Sequence, residues 1–115
     1  MEFSRLPKFN KEFKTLLKKY RTLNDDLETL KKVLREYPRG YHPVIIRISG
    51  LGIETEIYKV MHFRCKALKH KGSRSGIRVI YAYFEEKQKI EFVAIYYKKK
   101  DDTDYDKNRV LKYYT

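Results

Sequence analysis

Between Ile57 and Phe84 the chain carries seven Lys or Arg, two His and no acidic residue. Side chains of these types hold and polarise phosphate oxygens. Arg64, Lys66, Lys69, Lys71, Arg74 and Arg78 can each meet a backbone oxygen of a nucleic acid. A carboxylate among them would repel phosphate and neutralise its cationic neighbours. Aromatic residues accompany the basic ones: Tyr81, Tyr83, Phe84, Tyr96, Tyr97 and Tyr105. Most such rings belong to a core or a sheet face, while one or two would stack on unpaired bases. The bland alternative is a solvated cationic hairpin whose charge serves solubility. An anionic membrane surface fits less well, because the stretch reads as a strand pair, not as an amphipathic helix with a bulky apolar face.

At 115 residues the chain has the size of a single domain, 1–115, built on one core. Lys and Arg number 27 against 15 acids, and the resulting +12 favours a polyanionic partner. Eleven Tyr and six Phe are more than a disordered basic tail would carry, so the charge belongs to a folded module. Cys65 is the one cysteine, which excludes an intrachain disulfide and a Cys-based zinc cluster; a small apolar residue inside a strand is expected there. His42, His62 and His70 are too scattered for a metal site, and no metal or cofactor is expected. No run of about 18 apolar residues exists to span a membrane. Met1 to Asn10 lacks the apolar core of a secretory signal, so a cytoplasmic protein is expected.

Several elements must position the basic stretch. Phe9, Phe13, Leu16, Leu17 and Tyr20 recur at helical spacing with lysines between them. Leu23, Leu27, Leu30, Leu34 and Tyr37 form a second helical series, stopped by Pro38 and Gly40. Together they predict a helical hairpin. Val44 to Ile48 is a short strand within a loop. Ile57 to Leu68 alternates, with Val60, His62, Arg64 and Lys66 on one face and Met61, Phe63, Cys65 and Ala67 on the other, predicting a strand with one cationic face. Lys69 to Gly76 reads as a turn. Ile77 to Phe84 and Ile90 to Tyr97 are apolar strands. Asp101 to Asp104 offer N-cap types before a closing helix over Tyr105 to Tyr114. The expectation is an α+β fold: a helical hairpin packed on a three- to four-stranded antiparallel sheet, then a short C-terminal helix.

Gly76-Ile77-Arg78-Val79-Ile80-Tyr81 after a basic strand and turn resembles the RelE/ParE superfamily of toxins from toxin–antitoxin pairs. The likeness extends to Tyr58-Lys59-Val60, Phe92-Val93-Ala94-Ile95, the Lys-rich exit at Lys98 to Lys100 and the closing tyrosine, with a helical hairpin upstream. It thus covers nearly the whole chain, although the motif is short and shared by members with different targets. The resemblance implies a microbial-ribonuclease-type fold and, in the RelE-like branch, an endoribonuclease that enters the ribosome and cuts mRNA. The ribose 2′-hydroxyl attacks the adjacent phosphorus, which requires a base, cations around the phosphorane and an acid for the leaving 5′ oxygen.

Carried over by motif position, Arg78 matches the arginine on the scissile phosphate. Lys99 falls where a second cation, usually arginine, is found, and Tyr105 matches the functional tyrosine six residues beyond. Lysine at 99 is a departure, since it keeps a point charge and loses the bidentate fork. Register leaves Lys59, His62, Arg64 and Lys66 open as basic-strand candidates. Alternation favours Arg64 and Lys66, and Arg64 joins the candidate catalytic set. A base there needs a lowered pKa, which crowding by like charge supplies. His62 is more often structural or RNA-contacting than a base. Lys59, His62, Lys66, Lys69, Lys71, Arg74 and Lys98 are the expected RNA-binding residues. The implied partners are an acidic antitoxin, the ribosome and mRNA. The competing readings are a ParE-like inhibitor of DNA gyrase and a non-catalytic RNA-binding module.

Overall fold

A computed structural model describes residues 1–68, 75–98 and 107–115. It begins with a strand that the sequence pattern does not announce. β1, Glu2–Arg5, precedes two helices, α1 at Pro7–Lys19 and α2 at Leu23–Glu36. β2 at Ile45–Ile48 and β3 at Glu56–Val60 follow, then β4 at Ile77–Phe84, β5 at Lys89–Tyr97 and α3 at Lys107–Tyr114. The fold is α+β, as expected, but its sheet is five-stranded and mixed, in the order β1-β5-β4-β3-β2. β1 lies parallel to β5, pairing Phe3 with Ile90 and Arg5 with Phe92, while every other pairing is antiparallel.

α1 forms because Pro7 supplies the fixed φ suited to a first helical position and the apolar residues recur on one stripe. That stripe buries Phe9 and Phe13. Phe9 stacks on Phe92 of β5 at 5.4 Å and on Phe13 at 5.9 Å. α2 buries Leu23, Leu27, Leu30 and Leu34 and ends before Tyr37-Pro38. Each of these side chains contributes about 1.5–3 kcal/mol by leaving water, so Phe9→Ala would cost about 3–5 kcal/mol once the cavity is included. Beyond the helix ends, the Tyr81 hydroxyl donates to the Pro38 carbonyl at 2.8 Å and pins the end of the hairpin to β4.

The long basic strand expected over Ile57–Leu68 does not form. β3 stops at Val60, and Lys66–Leu68 is a single 3₁₀ turn. Two side chains of α2's start compete for the backbone there: Asp26 accepts from the Lys66 N–H at 3.2 Å, and the Thr22 hydroxyl accepts from the Ala67 N–H at 2.9 Å. Phe63 and Cys65 remain buried, in this irregular segment and not in a strand. The two faces drawn from alternation start at Val60, where β3 ends, so the strand with one cationic face does not form.

Candidate nucleic-acid interface

Register decides which face of the sheet each basic residue occupies. Tyr81 pairs with Phe92 and with Tyr58, and Phe92 meets Phe9, so these residues face α1 and the hairpin. Alternation along β4 then sends Arg78, Ile80 and Ala82 to the opposite face. Arg78 pairs there with Tyr96, and Ile80 in the next row pairs with Lys59. Lys59 and Arg78 are thus diagonal neighbours, roughly 7–8 Å apart at their backbones. The structure brings these two sequence candidates together. It adds Tyr96, which the catalytic set had missed because simple alternation out from the β4–β5 turn would set Ile95 opposite Arg78; the skipped Val93 shifts the register and brings Tyr96 there instead.

Arg78 is half-buried, and its Nε has no hydrogen-bond partner among the described residues. A guanidinium N–H withdrawn from water without an acceptor is costly, typically about 1–3 kcal/mol and more for a charged group. Gly76 holds the approach to the site. Its φ is +87°, and a Cβ there would lie 3.3 Å from the ring of Tyr97. Its carbonyl accepts from the Lys98 N–H at 2.6 Å, closing the open end of the β4–β5 pair next to Arg78.

The other end of the same strands is acidic. Glu85 and Glu86 occupy the β4–β5 turn, with Glu54 and Glu56 nearby across the strands. Arg39 bridges Glu56 and Glu85 at 2.8 and 2.6 Å. α3 covers this end: the Tyr114 ring sits 6.0 Å from Phe84, and its hydroxyl donates to Glu91 at 2.6 Å. Burial, and next that bond, push the Tyr114 phenol above its ordinary range. An incoming polyanion meets cations at the Gly76 end of the sheet and carboxylates at the other.

His62 and Arg64 take a different place from Arg78. They line a groove of about 460 Å³ between α2 and the β2–β3 pair, with Leu30 and Val33 on its helical wall. Lys66 is exposed in the 3₁₀ turn, and Lys98 is exposed just past β5. Arg64 would not share the Lys59 face even in a longer strand, because the two positions differ by an odd number of residues, and with β3 ending at Val60 it lies in the irregular segment instead. Lys69, Lys71, Arg74, Lys99 and Tyr105 lie outside the described residues. Among the described residues, no group of three or more His, Cys, Asp or Glu is placed to hold a metal ion, and no helix is long and apolar enough to cross a membrane. Comparison with protein-family models, with curated proteins and with solved structures finds no match for the chain.

Proposed function

We propose that this chain is a RelE-like toxin that cleaves mRNA on the ribosome and is silenced by an acidic antitoxin. The observation that carries the reading is Arg78, held on one sheet face beside Tyr96 and Lys59 with its buried Nε lacking a partner among the described residues. A half-buried guanidinium on a sheet face is a cation suited to a phosphodiester oxygen. The α+β architecture, with the hairpin on one side of the sheet and Arg78 on the other, accords with the resemblance.

In the proposed reaction the 2′ oxygen bonds to the neighbouring phosphorus as the bond from phosphorus to the 5′ oxygen breaks. The products are a 2′,3′-cyclic phosphate and a free 5′-hydroxyl. One proton leaves the attacking hydroxyl for a base, and one reaches the departing oxygen from an acid. Arg78 neutralises the charge that builds on the phosphorane, and Lys59 adds positive charge one row away. Lys99 and Tyr105 keep the roles that the resemblance implies, as second cation and proton-transfer group. Arg64, from its place beside α2, serves RNA binding in this reading and not the chemistry. Lys66, Lys98 and His62 extend the contact to flanking phosphates.

The test is a translation extract programmed with a defined message. Cleavage that yields 5′-hydroxyl ends and requires ribosomes is the expected result. Intact message together with blocked supercoiling by purified DNA gyrase would move the chain to the ParE-like group.

A further inference from the structure

The positive charge is concentrated in two separate segments. Residues 57–84 hold seven Lys or Arg and no acid; residues 1–22 hold seven against two Glu. Elsewhere thirteen basic residues face thirteen acids, so these two segments account for the whole net charge of +12. Of the first, Lys59 and Arg78 share one sheet face; the second is centred on α1.

Lys8, Lys11, Lys14 and Lys18 are all exposed on α1. At 3.6 residues per turn they fall within an arc of about 120°, with Lys11 opposite the buried Phe9 and Phe13. The row runs about 15 Å along the axis at 1.5 Å per residue. No ion pair within the described residues engages any of the four. The one acid on the helix, Glu12, is committed to Arg109.

We propose that the outer face of α1 is a second RNA surface, one that grips the phosphodiester backbone of base-paired RNA. Three observations select this partner. The apolar stripe of α1 is already buried in the core, with Phe9 at 0% and Phe13 at 3% exposure, so the helix has no face left to insert into a lipid surface. No large exposed apolar side chain lies on α1, so the surface offers no platform for stacking unpaired bases. What remains is a row of point charges suited to sequence-independent contact with phosphates, the mode by which paired RNA is held. The surface also lies across the sheet from Arg78, because α1 packs on the Phe92 face. One molecule would thus hold a structured RNA on its helical side and present Arg78 to a single strand on the other. The inference rests on the proposed function for its choice of RNA and does not require cleavage.

The experiment measures binding of the full chain to a 20-base-pair RNA duplex at several salt concentrations, comparing wild type with two variants. Lys8, Lys11, Lys14 and Lys18 changed together to Gln should weaken binding and make the slope of log affinity against log salt shallower by about 3–4, at roughly 0.9 per lost phosphate contact. The same four changed to Arg should bind as wild type, which separates lost charge from lost folding. Arg78→Ala should leave the slope within about 1 of wild type, so loss of cleavage and loss of this surface are scored separately. An unchanged slope in the Gln variant would overturn the proposal. So would loss of binding to anionic phospholipid vesicles with duplex binding intact.

Discussion

The two terminal nitrogens of Arg109 meet the two carboxylate oxygens of Glu12 at 2.8 and 2.9 Å, tying the last helix to the first across 97 residues of sequence. The fork sits where β5 departs from its ladder. Phe92 pairs with Tyr81 and Ala94 with Ile80, so Val93 is skipped. Arg109 donates to the Val93 carbonyl at 2.8 Å, and Glu12 accepts from the Ile95 N–H at 3.3 Å. With its side chain 7% exposed, Arg109 would keep a buried charge if Glu12 were removed. Glu12→Ala is expected to lower unfolding stability by roughly 3 kcal/mol, measured by denaturant titration. A loss below a few tenths would show that α3 docks without the pair.

Gly76→Ala tests whether the left-handed turn before β4 matters for Arg78. A non-glycine residue at this φ costs about 1–2 kcal/mol, and its Cβ would press on the Tyr97 ring. Stability should fall by that amount, and RNA cleavage should fall further than stability explains. Equal activity per folded molecule would separate the turn from the site.

Asp26 is 3% exposed and receives both the Thr22 hydroxyl and the Lys66 N–H. Asp26→Ala leaves the part-buried Thr22 hydroxyl and Lys66 N–H without their acceptor, at about 1 kcal/mol. Amide exchange at Lys66 and Ala67 should quicken at least tenfold relative to β4. Uniform quickening across the sheet would instead mark global destabilisation.

The acidic end of the sheet sets a pH dependence. The bond from Arg39 holds the Glu56 carboxyl below its ordinary value, Tyr58 adds to that, and burial opposes both. Folded Glu56 therefore binds a proton less readily than unfolded Glu56. Its contribution to stability is present above the unfolded carboxyl pKa, near 4.3, and is lost as pH falls through the lower folded value. Wild type should lose stability below about pH 5 more steeply than Arg39→Ala. Parallel acid profiles would count against the Arg39–Glu56 contact.

How much of this was legible in the sequence depends on the range of the contacts involved. α2 was plain, because Leu23 to Leu34 keeps one period and Pro38 ends it. β4 and β5 were plain as apolar runs bounded by turns. β1 was not, since Glu2–Arg5 is four residues long and is defined by parallel pairing with a strand more than 80 residues away. The end of β3 was hidden for a similar reason. Alternation continues past Val60, but Thr22 and Asp26 capture the amides that a longer strand would have used. The motif placed Arg78, and β3 placed Lys59 beside it. Arg64 was drawn into the same set only because a strand was assumed to run on to Leu68.

Arg78→Ala gives the most direct test, made in a ribosome-containing translation extract with message ends mapped by primer extension. The guanidinium is assigned to stabilising charge on the phosphorane, a contribution commonly worth about 10²–10³ in rate. Cleavage should fall by at least that factor while the circular dichroism spectrum and melting profile stay those of wild type. Undiminished cleavage by a folded Arg78→Ala protein would contradict the assignment.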